Sequence, residues 1–189
     1  MRIEAVLLTG GASSRMGIDK ADLLVDGVPL GHKIALALSS AGYPVTVLGR
    51  QPLAGFPFQK DIEEFGGPLI PLSEYRPTRE SVFVCACDLP QFDERIVSLL
   101  SVKIGRSDVA APEVNGRLQP LCGLYRSAAF DVARSLASEG RRSMMAWLER
   151  LAVVRVNETD FQSAGLDPEI ALGVNTRAEL DEALHRRKG

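Results

Sequence analysis

The sequence has little of what several common classes of protein require. It contains only 2 histidines and 3 cysteines in 189 residues, and the cysteines have neither an even count nor a zinc-ligand spacing. This scarcity argues against a disulfide scaffold and against a closed zinc site. Cys85 and Cys87 alternate along one apolar run and would share a strand face, so we interpret them as core thiols.

The sequence also lacks an excess of charge of one sign and a long apolar run. With 22 Lys and Arg against 24 Asp and Glu, the net charge is −2, which gives no basic field for a phosphate backbone. No apolar segment has the length of a membrane span or the form of a signal peptide. We therefore expect a cytoplasmic protein with no nucleic-acid and no membrane partner, folded as one domain over residues 1–189.

Apolar runs, small-residue loops and helical segments alternate along the chain. Strands are predicted at 3–8, 45–48 and 82–87, each followed by a loop, with helices at 30–41 and 93–100. This alternation predicts a three-layer, Rossmann-like α/β sandwich with a mostly parallel sheet, whose ligand site lies at the carboxyl ends of the strands.

The second half of the chain predicts that this sheet is mixed. Asn115-Gly116 is a hairpin signal between a strand at 109–111 and one at 118–125. Two helices at 127–138 and 144–151 and a strand at 153–156 follow, and a capping box at 176–179 opens a C-terminal helix. The spacing indicates no repeat and no interdomain linker.

The most informative segment is 8–20, which reads LTGGASSRMGIDK. Its glycines let backbone N–H groups approach a polyphosphate, and Arg15 and Lys20 can neutralise the charge of that group. Gly17 is followed by Ile-Asp-Lys, which is not a Walker A loop, and the adjacent pair Gly10-Gly11 is not a dinucleotide fingerprint. The segment favours a nucleotide site of another type over a solvated glycine turn.

This segment resembles the signature of the molybdenum cofactor guanylyltransferases, which join GMP from GTP to molybdopterin. The likeness continues in order through DGVPL, a lone Asp, GGPL, CDLP, QPL, GRR and VNT, and it spans nearly the whole chain. Those motifs stand at 26–30, 61, 66–69, 87–90, 119–121, 140–142 and 174–176. The paired glycines resemble the guanine-using members, whereas relatives that make the cytosine dinucleotide tend to carry Ala-Gly.

The resemblance implies a set of GTP-binding residues and a substrate pair, GTP and molybdopterin. It places Asp61 on the sugar or base of the nucleotide, although a surface acid is the alternative interpretation. The implied GTP-binding residues are Leu8, Thr9, Gly10, Gly11, Gly17, Lys20, Asp61 and Asp88.

Nucleotidyl transfer requires cations where two anionic substrates meet. We expect Asp88, at the end of an apolar strand, to bind Mg²⁺, although it could instead cap the next helix. Lys20 and Arg15 are expected to bind the triphosphate and stabilise the transition state, so these three are the predicted catalytic residues. The attacking phosphate is mostly ionised near neutral pH, because its second pKa is about 6. No catalytic histidine is therefore expected.

The predicted pterin side is less sharply defined. Arg141 and Arg142 are expected to meet the phosphate of the pterin or a partner protein, such as a cofactor-supplying protein or a molybdoenzyme, unless they form a solvated face. Asn175 is a pterin-side candidate that could equally support the cap at Thr176.

The chain departs from the family at three places, one of them Ile70-Pro71 after the GGPL motif, and the other two leave other functions open. Leu48-Gly49-Arg50 stands where members often have a nucleotide-contacting Asn, and Gly173 replaces the first Asn of an Asn-x-Asn-Thr motif. The alternatives are a nucleotidyltransferase that uses CTP with molybdopterin, one that acts on another phosphorylated small molecule, or a non-catalytic nucleotide-binding carrier of the cofactor.

Overall fold

The computed structural model describes residues 1–9, 23–25, 27–61 and 66–186. Its strands are β1 (Ile3–Leu8), β2 (Leu24–Val25), β3 (Val28–Pro29), β4 (Val45–Gly49), β5 (Phe58–Lys60), β6 (Ser81–Ala86), β7 (Val109–Val114), β8 (Arg117–Leu118), β9 (Cys122–Arg126) and β10 (Val153–Val156). The α-helices are α1 (Leu30–Ser40), α2 (Leu69–Glu74), α3 (Arg95–Lys103), α4 (Ala129–Ser138), α5 (Met144–Leu148), α6 (Glu158–Ser163) and α7 (Arg177–Arg186), and a 3₁₀ helix covers Pro168–Ala171. None of these described helices is long and apolar enough to cross a bilayer.

One mixed sheet organises the described part of the chain. Its strands follow the order β10-β7-β9-β6-β1-β4-β5, with β8 paired to β7. Strand β9 runs antiparallel to both of its neighbours, β6 and β7, whereas β1 is parallel to β4 and β6. The predicted Rossmann-like α/β sandwich with a mostly parallel mixed sheet is confirmed.

Both faces of the sheet are covered by helices because its central strands are apolar on both sides. Along β1, Ala5 and Leu7 join a core beneath α1 and α3, whereas Val6 and Leu8 join a second core beneath α2 and α4. This alternation is the period of two that a strand imposes on side chains. The central strands are therefore held from both sides, and their carboxyl ends form a fixed edge.

Aromatic residues anchor the second core. The ring of Trp147 on α5 stacks on Tyr125 at 4.5 Å between centroids and meets Phe130 edge-on at 5.5 Å. Its Nε1 donates to the carbonyl of Ala129 at 2.9 Å, so the buried indole leaves no donor without an acceptor.

Several local predictions are confirmed at their turns. Asn115 and Gly116 have φ values of 52° and 69°, as a tight hairpin between β7 and β8 requires. Gly42, with φ 88°, directly follows the capping residue of α1, where a left-handed glycine ends a helix. Glu179 N donates to Thr176 Oγ1 at 3.2 Å, and Thr176 N donates to Glu179 Oε2 at 3.3 Å, which confirms the capping box before α7.

Two predicted elements are shorter than expected. Residues 118–125 do not form one strand, because Gln119 N donates to Pro112 O at 2.8 Å, Pro120 has no N–H, and Cys122 N turns back to Gln119 O at 3.1 Å. The helix predicted at 144–151 ends at Leu148, after which tighter i to i+3 bonds take over.

Candidate active site

The order of the strands places a crevice next to β1. From β1 the chain goes to β4 and β5 on one side, and then crosses to β6 on the other side. In an open α/β sheet, ligands bind outside the carboxyl ends of the strands at such a reversal. The candidate site is therefore expected where β1 and β6 end.

Backbone hydrogen bonds fix the end of β1. Thr9 N donates to Leu48 O at 2.9 Å, and Cys87 N donates to Leu8 O at 3.1 Å. Leu8 and Thr9 thus lie between the ends of β4 and β6, and the glycine-rich segment begins at the next residue. The predicted residues Gly10, Gly11, Arg15, Gly17 and Lys20 lie outside the described residues.

Asp88 lies two residues beyond β6, half-buried at the same edge of the sheet. Its carbonyl accepts a hydrogen bond from Val174 N at 2.9 Å. Its carboxylate lies directly against Gly173, where a built Cβ would be only 2.9 Å from Asp88 Oδ1. The structure thus brings the segment before α7 against the end of β6.

A pocket opens in front of this carboxylate, with a volume of about 220 Å³. It joins three motifs that are far apart in the sequence, CDLP, QPL and VNT. Asn175, a predicted pterin-side residue, therefore shares a pocket with Asp88. The pocket is lined by Ala86, Asp88, Leu89, Gln119, Pro120, Leu121, Ala171, Gly173 and Asn175.

Asp61 lies at the end of β5, on the other side of β1. Three strand spacings separate β5 from β6, or about 14 Å. Asp61 N donates to Gly49 O at 2.9 Å, while its buried Oδ1 accepts no hydrogen bond from the described residues. Burial raises the pKa of Asp61, and the nearby charge of Arg50 opposes that rise. A buried acceptor that lacks a donor suits a ligand N–H or O–H better than it suits a solvated surface acid.

Arg141 and Arg142 follow α4 and are exposed. A Cβ built on Gly67 would lie 3.5 Å from Arg142 O, so the structure brings the GRR motif next to the GGPL motif. The described lining of the Asp88 pocket includes neither arginine. The structure therefore places these arginines beside the start of α2, and not with Asn175.

The two histidines and three cysteines make packing or hydrogen-bond contacts of the kind that support the fold. His32 meets Phe56 edge-on at 5.8 Å, and His185 Nδ1 lies 2.6 Å from the carbonyl of Asp181 one turn earlier. Cys85, Cys87 and Cys122 are buried thiols, and burial raises the pKa values of Cys85 and Cys122. The interpretation of Cys85 and Cys87 as core thiols is confirmed.

Sequence reasoning gave no role to two residues that the structure places at the site. Gln119 was part of a motif only, yet it lines the pocket, and its Nε2 donates to Arg117 O at 3.3 Å. Gly173 was noted only because it replaces the first Asn of the Asn-x-Asn-Thr motif of the family. The available signal for Gln119 was its position beside Pro120 after a hairpin, whereas nothing in the sequence links Gly173 to Asp88.

Comparison with known proteins places the chain in a family. Residues 5–154 match the MobA-like NTP transferase domain, which is most of the chain. The chain belongs to the MobA-like NTP transferase family. The match to this family includes the last four residues of β1, Asp61 and Asp88, and it ends before Gly173 and Asn175.

Relatives of this MobA-like NTP transferase extend the likeness beyond the matched domain. The chain is 31% identical to a probable molybdenum cofactor guanylyltransferase from Trichormus variabilis, over 94% of this chain and 88% of that one. It is 24% identical to the molybdenum cofactor guanylyltransferase of Desulfosudis oleivorans, over 96% and 94% of the two chains. The crystal structure of molybdopterin-guanine dinucleotide biosynthesis protein A from Archaeoglobus fulgidus has a TM-score of 0.81 at 22% identity, over 98% of both chains, and so shares the fold.

Proposed function

We propose that this MobA-like NTP transferase transfers GMP from GTP to the terminal phosphate of molybdopterin, which forms molybdopterin guanine dinucleotide and releases pyrophosphate. The observation that carries the proposal is the position of Asp88, beside the end of β1 at the reversal of strand order and at the mouth of a pocket shared with Asn175. The names of the relatives support the choice of substrates. We further propose that residues 1–189 act as a single nucleotidyltransferase domain.

The nucleotide occupies the β1 side of the crevice in this proposal. Leu8 and Thr9 fix the backbone where the glycine-rich segment begins, and Gly10, Gly11 and Gly17 are proposed to bind the phosphates through their backbone N–H groups. Asp61 accepts a hydrogen bond from the base or the sugar through its buried oxygen. Lys20 and Arg15 hold the triphosphate and stabilise the charge that develops on the departing pyrophosphate.

Asp88 fits the binding of Mg²⁺. Its carboxylate lies at the strand end, against Gly173 and in the space that a side chain there would fill. Among the described residues there is no group of three or more His, Cys, Asp and Glu side chains that could hold a metal ion. A single carboxylate matches the usual coordination of Mg²⁺, which binds one or two carboxylates and completes its coordination shell with substrate phosphates and water. When bound, the ion neutralises phosphate charge and orients the triphosphate.

The pterin occupies the Asp88 pocket in this proposal. Its terminal phosphate has a second pKa of about 6, so at neutral pH it attacks the α-phosphate without a residue that removes a proton. Asn175 contacts the pterin as part of the pocket lining, while Arg141 and Arg142, which lie outside that lining, attract either its phosphate or a partner protein that supplies or receives the cofactor.

The test is a panel of nucleoside triphosphates, each supplied with molybdopterin and Mg²⁺ while pyrophosphate release is measured. We expect turnover with GTP and little with CTP. Turnover with CTP and none with GTP would refute the guanine assignment. Binding of GTP without pyrophosphate release, with the pterin present, would instead show a carrier.

Lys20→Ala provides a second arm of the same assay. Loss of one charge at the triphosphate should lower kcat strongly while the unfolding temperature stays unchanged. A variant with the activity of the unaltered protein would remove Lys20 from the proposed site.

A further inference from the structure

Gly173 is a glycine for a reason other than backbone conformation. Gly140 shows the common reason, because its φ is +75° and a Cβ built on it would meet nothing within 4 Å. Gly173 is the opposite case, since its φ is not positive and a Cβ would lie 2.9 Å from Oδ1, 3.2 Å from Cγ and 3.4 Å from Oδ2 of Asp88. The constraint at Gly173 is therefore the position of one carboxylate.

The segment that follows Gly173 is held by hydrogen bonds and by burial, so it cannot easily move away. Val174 N donates to Asp88 O at 2.9 Å, and the Val174 side chain is buried in the core beneath α1 and α3. One residue later, Asn175 N and Thr176 N donate to Glu179 Oε2 at 2.5 and 3.3 Å. If residue 173 gained a side chain, the carboxylate of Asp88 would have to rotate, because the backbone is fixed.

We propose that Gly173 is a positioning residue, whose missing side chain lets the Asp88 carboxylate lie against the backbone before α7 in the orientation that binds the metal ion. The inference rests on the proposed function, in which Asp88 holds Mg²⁺. It adds a second element to the metal site, because a residue in the segment before α7 sets the orientation of a ligand that follows β6. Asn175, two residues after Gly173, lines the same pocket as Asp88.

Binding of Mn²⁺, a paramagnetic substitute for Mg²⁺, tests this inference without reference to turnover. Free Mn²⁺ is measured by electron paramagnetic resonance with the full chain and saturating GTP. We expect Gly173→Ala to weaken Mn²⁺ binding about tenfold, the lower end of the effect seen when a group that orients a metal ligand is changed. The Mg²⁺ concentration that half-saturates GTP turnover should rise by a similar factor.

Val174→Ala is the matched control. It removes buried methyl groups from the adjacent residue, so it should lower the unfolding temperature, yet it leaves the space at residue 173 and the backbone bond to Asp88 intact. Its Mn²⁺ affinity should equal that of the unaltered protein. If Val174→Ala weakens Mn²⁺ binding as much as Gly173→Ala does, the effect is general loosening and the inference is wrong.

Asp88→Asn separates the inference from the proposed function. If Asp88→Asn binds Mn²⁺ as the unaltered protein does, Asp88 is not the metal ligand and both proposals fall. If Asp88→Asn is impaired and Gly173→Ala is not, only the positioning role is overturned. If both are impaired, the double variant decides, since the Gly173 change should add nothing once the carboxylate is absent. Additive losses would refute the inference.

Discussion

Glu4 lies at the amino ends of the parallel strands and Asp61 lies at their carboxyl ends, and the surroundings of these two acids differ. Glu4 is 4% exposed near the start of β1, and its carboxylate accepts bonds from Thr78 N at 2.7 Å, Thr78 Oγ1 at 2.5 Å and Arg79 N at 3.3 Å. Asp61, at the end of β5, has a buried Oδ1 with no donor among the described residues. One edge of the sheet satisfies its buried acid internally, whereas the other leaves an acceptor for a group from outside.

The largest effect is expected at the carboxyl ends of the strands, where Asp61 and Asp88 lie. Asp88→Asn should lower kcat about a thousandfold, because the metal site loses its charge where phosphate repulsion is greatest. The unfolding temperature should change little, since the side chain keeps its size. Activity is measured as pyrophosphate release from GTP and molybdopterin.

Asp131→Asn is the control for Asp88. Asp131 lies on α4, where it pairs with Arg134 on the surface, so the same change of acid to amide should leave kcat unaltered. Equal losses in the two variants would contradict a special role for Asp88.

The next largest effect is expected at Glu4, at the amino ends of the strands, and it concerns the free energy of unfolding. Glu4→Ala should lower the free energy of unfolding by about 3 kcal/mol, because Thr78 and Arg79 lose a charged acceptor in a buried place. The remaining folded protein should keep its kcat and KM for GTP. Urea unfolding followed by circular dichroism measures the first quantity. A loss of activity without a loss of stability would show that the two edges are not functionally distinct.

The difference between the two edges was only partly predictable from the sequence. The apolar run of β1 and the turn at Asn115-Gly116 depend on local residue types, so the strands, the mixed sheet and the position of Asp88 at the carboxyl ends of the strands followed from the pattern. The break at Pro120 did not follow, because it depends on a bond from Gln119 to Pro112 across the hairpin.

The same limit applies to the candidate site. Asp61 was named from the resemblance, but the burial of its Oδ1 depends on packing that no short motif encodes. The contact of Gly173 with Asp88 joins segments that are far apart in the sequence and meet only in the folded protein. Sequence reasoning therefore found the residue types of the site, and the tertiary structure supplied their pairing.

A smaller effect sharpens the comparison at Asp61. Asp61→Asn should raise the KM for GTP about tenfold, because a hydrogen bond to a charged group contributes roughly 1.5–3 kcal/mol. The same change should stabilise the free protein at neutral pH. Burial raises the pKa of Asp61 above its ordinary value of 3.8, so as pH rises past that value the unfolded chain ionises first and stability is lost.

The pH dependence of stability provides a test that can contradict the prediction for Asp61→Asn. Below pH 3.8 the carboxyl group is protonated in both states, so the stability gain of Asp61→Asn should disappear there. Unfolding temperatures of the two proteins measured from acid to neutral pH test this. A gain that persists at low pH, or a KM for GTP that does not change, would place Asp61 outside the nucleotide site.

The smallest effect separates binding from capping within one short segment. Asn175 N and Thr176 N both donate to Glu179, and these backbone bonds survive a side-chain truncation. Asn175→Ala should therefore keep the helix cap and raise the KM for molybdopterin about fivefold, the value of one neutral hydrogen bond. Thr176→Ala removes the acceptor of Glu179 N and should lower the free energy of unfolding by about 1 kcal/mol, with both KM values unchanged. If Asn175→Ala instead behaves like Thr176→Ala, the Asn175 side chain supports α7 and the pterin is held by other residues of the pocket.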